Sequence, residues 1–259
     1  MKTERPILFS TPMVQAYMLD LKTQTRRTRG LDKINDPDVI DDITFREMQW
    51  YKDGSYRAIF DGPEESFSVK SPYGGPGDIL WMRETWRIVG WNEGDPFIIE
   101  FKDGKRKREV YLNESRALDY AIECSDQCEA AGYKADEESG MFEFGVDTIP
   151  TKWRPSIFMP KAACRNRMTV IDIYPERLQD ISEGDAIAEG VDYIGRGVIG
   201  SPIVYKNYLS KGSQYLHSRN NIRFTAIDSY KSLCESINGK GSWDKNNWVW
   251  KITFERIQP

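Results

Sequence analysis

The sequence predicts an α+β fold centred on a small mixed β-barrel with short flanking helices. Three observations carry this. Two dipeptides, Asp53-Gly54 and Asp103-Gly104, each lie between strand-like runs, and Asp-Gly favours the positive backbone dihedrals of a tight hairpin turn. Further runs alternate polar and apolar residues with a period of two, as half-buried strands do. Helical patterns are short and set up no regular strand–helix–strand rhythm, so a small barrel is favoured over a doubly wound parallel sheet.

Each element has its own local reason. RPILFS, at 5–10, is short and apolar, as a buried strand is. Thr11 suits a helix N-cap with Pro12 at the first helical position, and Met13, Ala16 and Tyr17 then share a face. KTQTRRT, at 22–28, is threonine-rich and reads as a turn running into a strand. The hairpins cover 43–62 and 96–112. Between them, Ile79 to Val89 reads as one strand, with Leu80, Met82, Glu84 and Trp86 on one side and Trp81, Arg83 and Thr85 on the other. Residues 113–131 read as a helix and 132–151 as an acidic loop. Pro155 and Pro160 make KWRPSIFMP an extended, positioned segment rather than a helix. RMTVIDIYPERL is a strand. ISEGDAIAEGV is a short helix capped by Ser182, with Asp185 reaching back. Residues 195–221 are loop-like. TAIDSYKSLCESING is a helix closed at Asn238 or Gly239, and NNWVWKITFERI is a final strand.

Composition excludes several classes. The chain has 259 residues, enough for one elaborated domain or two small ones. Its net charge of -4 argues against coating nucleic acid nonspecifically, yet leaves room for local recognition. No run of about 18 apolar residues occurs, and MKTERPILFS lacks the apolar core of a signal peptide, so a cytoplasmic protein without membrane contact is expected. Cys124 and Cys128 have the wrong spacing for a zinc knuckle, and His217 is the only histidine. Neither a metal site nor a cofactor is expected, and the four cysteines fit reduced structural thiols. The glycines of GRGVIG, at 195–200, lack the flanking strand and helix of a dinucleotide loop.

LKTQTRRTRG, at 21–30, gathers Lys22, Arg26, Arg27 and Arg29 beside Thr23, Thr25 and Thr28. A solvated loop and a grip on a phosphate or base both suit such a stretch. Together with YGGPGDILWMRETW, KWRPSIFMPKAACR, ERLQDISEGDAIAEGV and SINGKGSWDKNNWVWKITFERI, it resembles the bacteriophage and prophage branch of the ASCH-domain family, in the PUA-like superfamily. The resemblance runs almost end to end. It implies a single domain spanning 1–259, a PUA-like small mixed β-barrel with short flanking helices, and β-hairpin and helical insertions at about 30–75 and 90–150 beyond a minimal domain. PUA-like barrels bind RNA or a modified base turned out of its stack, so RNA, DNA or a modified nucleoside is the implied partner.

The family motif has the form G-x-K-x-x-T-x-R, and Lys22, Thr25 and Arg27 match it. Small bacterial members similar to this chain only there hydrolyse the acetyl amide of N4-acetylcytidine with a lysine, a threonine and a glutamate. The resemblance thus implies Lys22 and Thr25 as catalytic, with Glu84 of WMRETW as the candidate third member. Relatives often carry histidine where Phe158 stands.

The residues also have readings of their own. A threonine hydroxyl needs a base to become a nucleophile. A lysine of ordinary pKa, about 10.4, is charged at neutral pH and must be desolvated or set near other cations to act as one. Lys22 is otherwise a solvated lysine or a phosphate contact, and Thr25 a strand hydroxyl. Glu84 either hydrogen-bonds a cytosine amine or forms a structural ion pair with Arg83 or Arg27. Arg27 either clamps a phosphate or carboxylate or pairs within the fold. Arg26 and Arg29 face differently, one of them to solvent. Arg83, Arg154, Trp81, Trp86 and Trp153 are candidates to bind substrate or nucleic acid, since a base stacks on tryptophan or arginine planes; the tryptophans equally suit a core. Lys102, Lys105, Arg106, Lys107 and Arg108 form a basic hairpin tip, a nucleic-acid track or a solvated edge. A nucleobase-binding module, an N4-acylcytidine amidohydrolase and a protein-interaction scaffold are the three functions left open.

Overall fold

The structure, a computed structural model, describes residues 2–91, 96–145, 148–196, 203–210 and 222–258. His217, the glycine run from 197 and the Arg108 side chain lie outside the described residues. The fold is mixed α+β, with four sheets among the described residues. The chain divides into two compact units. Unit 1 is Met1–Arg5, Ala16–Leu80 and Met168–Pro259; unit 2 is Pro6–Gln15 and Trp81–Arg167.

Strand β1 (Glu4–Leu8) leads to helix α1 (Thr11–Met18). The first helical bond runs from Val14 N–H to the Ser10 carbonyl, so the cap falls at Ser10, one residue before the expected Thr11. Strand β2 (Gln24–Arg27) follows the turn at Lys22. Strands β3 (Thr44–Trp50), β4 (Tyr56–Asp61) and β5 (Ser66–Lys70) form an antiparallel sheet in that order, its hairpin turning at Gly54 with φ of 72°. There Phe60 packs on Phe45, Phe67 and Trp248 in the core of unit 1.

The single strand expected over Ile79 to Val89 is two, β6 (Ile79–Arg83) and β7 (Trp86–Gly90). The break has a hydrogen-bonding cause. Beyond Arg83 the backbone changes partners: Glu84 N–H points to the Met159 sulfur, and Trp86 pairs with Phe101 and with Arg154. Strands β8 (Phe97–Phe101) and β9 (Arg106–Val110) complete the sheet β7-β8-β9, turning at Gly104 with φ of 80°. Helix α2 (Glu114–Ala130) is capped by the Asn113 side chain, which accepts from Arg116 N–H. The unit 2 core gathers Trp86, Ile88, Phe101, Cys124 and Met159, all buried. KWRPSIFMP is extended except for one 3-10 turn at Ser156–Phe158, a short departure from the expectation.

Strand β10 (Arg167–Arg177) is followed by helix α3 (Glu183–Ala188), with Ser182 accepting from Asp185 N–H as its cap. Strands β11 (Tyr193–Arg196), β12 (Ile203–Lys206) and β13 (Ile222–Arg223) form a third three-stranded sheet, which corrects the reading of 195–221 as loop throughout. Their pairing joins Tyr205 to Arg223 and Lys206 to Ile222, partners that a local pattern does not reveal. Helix α4 (Ala226–Asn238) runs from a Thr225 cap to Gly239 at φ 92°. Strand β14 (Trp248–Arg256) lies between β10 and β2 in a five-stranded sheet of order β1-β6-β10-β14-β2. Each sheet has a linear strand order among the described residues.

Candidate functional site

The LKTQTRRTRG stretch is not a solvated loop in unit 1. Leu21 and Lys22 N–H groups both bond the Ala16 carbonyl at the end of α1, and Thr23 N–H bonds Ala188 at the end of α3. These bonds tuck the Lys22 side chain inward until the residue is only 2% exposed. Thr25 is 3% exposed in β2, paired with Ile252 of β14. Arg26 is buried and Arg29 exposed, so the solvated arginine of the two is Arg29.

Lys22 Nζ donates to Glu189 twice, at 2.6 Å to Oε2 and 2.8 Å to the backbone carbonyl. Glu189 ends α3, where a backbone carbonyl is unpaired within the helix and attracts a cation. Gly190 follows at φ 81°. A Cβ there would come within 3.0 Å of Lys22 Cβ, so glycine serves both the turn and the close approach. Burial, the largest influence, lowers the Lys22 pKa; Glu189 raises it, and Arg27 and Arg26 lower it further.

Arg26 completes a buried network. Its Nε donates to Glu176 Oε1 at 2.7 Å, Nη2 lies 2.6 Å from the same oxygen and 3.3 Å from Asp185, and Nη1 lies 3.3 Å from Glu189 Oε1. Lys251 stands directly opposite Arg26 across the β2–β14 pair. Two cations in that register repel unless carboxylates lie between them. Lys251 donates to Asp185 at 2.9 Å and lies 3.9 Å from Glu176, which meets that need. Three cations and three carboxylates thus interlock. Burial tends to raise the Asp185 carboxyl, but bonds with Lys251, Ser182 and Gln24 hold it down at about 2. Burial pushes Glu176 up despite Arg26 and Lys251. Tyr230 of α4 is buried beside this network, with Arg26 Cζ 6.0 Å from its ring centroid. Burial and then Glu189 push its phenol well above the usual range, so it stays neutral.

The remaining candidates lie in unit 2. Glu84, 3% exposed, sits where the chain switches sheets. It pairs with Arg165 rather than with Arg83 or Arg27: Arg165 Nε lies 3.1 and 3.2 Å from its two oxygens and Nη2 2.6 Å from Oε2. Asn166 Nδ2 donates to its Oε1 at 2.9 Å. Arg165 also holds Asp103 at 2.8 Å and lies over the Phe101 ring at 4.0 Å. Lys22 and Glu84 therefore belong to different units, each with its own partners.

The tryptophans divide between core and surface. Trp81 and Trp86 are buried. Arg83 lies 4.8 Å from the Trp81 ring and donates to the Ile157 carbonyl. Arg154 lies over Trp86 and Tyr120 and pairs with Glu123 at 2.9 Å. Trp153 is half-buried, with Arg87 and Lys102 each about 4.5 Å from its ring centroid. In the basic hairpin, Arg106 is taken up by Glu100, and Lys107 donates to the Ala162 and Cys164 carbonyls, so the tip is not a continuous positive track. Phe158 is exposed. A cavity of about 260 Å³ in unit 2, lined by Trp91, Ile98, Met141, Phe142 and Phe144 among others, holds none of the candidates.

Sequence reasoning missed Glu189, Glu176, Asp185, Lys251 and Tyr230. One signal was there to find. Asp185 and Glu189 are four apart across a short helix and its C-cap and so share a face, and two acids on one face that turns inward need cations. No family model matches this chain, and neither a curated protein nor a solved structure does.

Proposed function

We propose that this chain is an amidohydrolase that removes the acyl group from N4-acylated cytidine or a similar modified nucleoside, with Lys22, Thr25 and Glu189 as its catalytic residues on a PUA-like fold. The observation that carries the reading is the buried Lys22–Glu189 contact at 2.6 Å, with Thr25 buried three residues further on. It replaces Glu84 by Glu189 as the third member, because Glu84 is committed to Arg165 and Asn166.

The chemistry balances as follows. The Thr25 hydroxyl attacks the acyl carbonyl carbon while its proton passes to the neutral Lys22 amine. The C–N4 bond breaks as that proton moves to N4, releasing cytidine and leaving an acyl ester on Thr25. Water attacks the ester, a proton passing through Lys22, and the carboxylic acid leaves as Thr25 regains its proton. Burial and the flanking arginines favour the neutral amine that the first step needs. Glu189 orients the amine and stabilises it when charged.

The test is chromatographic. Wild type, Lys22→Ala and Glu189→Gln are incubated with N4-acetylcytidine and cytidine release is followed. Turnover by wild type alone supports the assignment. No turnover by any of the three overturns it for this substrate, and binding of modified RNA or DNA across salt concentrations then tests the chain as a nucleobase reader.

A further inference from the structure

We infer that Arg26 is a positioning residue, the one that sets the place of Glu189 and the charge balance around Lys22. The inference rests on the hydrolase reading for its kinetic consequence, but its geometric basis does not. Glu189 divides its two oxygens, Oε2 to Lys22 and Oε1 to Arg26. The same guanidinium spans Glu176 on β10 and Asp185 on α3. A planar guanidinium with five donors can hold three carboxylates at once, whereas an ammonium of the same charge cannot reach them all.

This arrangement links α3 to the sheet through charge. Arg26 lies on β2, Glu176 on β10, Lys251 on β14, and Asp185 and Glu189 on α3 and its C-terminal end. Tyr230 and Cys234 on α4, Arg27 on β2 and Tyr174 on β10 also face the network. Without Arg26, Glu189 loses its second anchor, and the excess negative charge holds Lys22 protonated.

Two substitutions separate position from charge. Arg26→Lys keeps the charge and loses the span. We expect kcat to fall about 100-fold, with KM changed by less than about threefold and the pH–rate profile unmoved. Arg26→Gln loses the charge as well, and the acidic limb of the profile should move up by about one pH unit. A second readout is independent of turnover: nitrogen-15 NMR of Lys22 Nζ in lysine-labelled protein, whose titration should move up in Arg26→Gln and not in Arg26→Lys. If Arg26→Gln does not fold, Glu176→Gln removes a carboxylate from the same anchor, and its Lys22 titration should move down. Unchanged kcat in Arg26→Lys, or an unmoved Lys22 titration in the charge-removing variant, overturns the inference. Absence of wild-type turnover overturns the hydrolase reading alone, and the NMR measurement still decides the role of Arg26.

Discussion

The Lys22 network of unit 1 and the Glu84 cluster of unit 2 are built from the same kind of part, a carboxylate 3–4% exposed that meets a cation at 2.6 Å. They differ in the cation. Glu84 meets a guanidinium, which does not give up its proton in a protein, so Arg165 cannot act as a base. Glu189 meets an ammonium, whose pKa burial lowers. The difference teaches that a buried ion pair is a candidate for base catalysis by its cation only when that cation is an ammonium rather than a guanidinium.

The largest effects should come from breaking each pair. Leaving a buried charge with no partner costs about 3–5 kcal/mol; Glu189 keeps Arg26 and Arg165 keeps Asp103, so Lys22→Met and Glu84→Ala should each lower stability by less than that in denaturant titrations. Turnover per folded molecule should separate the two regions: it is lost in Glu189→Gln and retained in Glu84→Gln. Loss of turnover in both would put Glu84 back in the catalytic set.

A smaller effect sharpens the contrast through pH. The Asp185 carboxyl is held at about 2, below the usual value of about 3.9 for an unfolded chain. Its contribution to stability is therefore complete above about 3.9 and lost as pH falls through about 2. Asp185→Asn should flatten the acid limb of stability against pH over that window, and an unchanged limb contradicts the assignment. In the alkaline range Lys22 works in the opposite sense to Lys251. Its lowered pKa makes stability rise as pH climbs from the folded value towards that of a free lysine. The raised pKa of Lys251 makes stability fall as pH climbs above the free value.

The smallest expected effect concerns the thiols. All four cysteines are free and buried, and burial, opposed by Arg154, pushes Cys124 up to about 12. Reaction with a thiol reagent at pH 8 should be slow in native protein and rapid in denaturant. Fast native reaction of Cys124 or Cys128 would show that the unit 2 core opens more readily than unit 1.

Both hairpins were legible because Asp-Gly states its own backbone geometry, and Gly54 and Gly104 both adopt positive φ. Helices α3 and α4 were legible from Ser182 and from Gly239 for the same local reason. The break at Glu84 was not, because an alternating run reads as one strand until its partners are known. The buried Lys22 cluster was less legible. The motif singled out Lys22 and Thr25, and both are buried, but the glutamate on Lys22 lies 167 positions away.

By itself, the sequence determined what depends on neighbours along the chain: turn chemistry, helix caps, the period-two strands and the balance of charge. Only the tertiary structure decided which acid meets which base. Arg26 and Lys251 face each other because β2 pairs with β14 in one register, and Glu176, Asp185 and Glu189 reach them from separate elements. The physical reason is that a charge-assisted bond acts over about 3 Å, a range set by packing and indifferent to sequence separation.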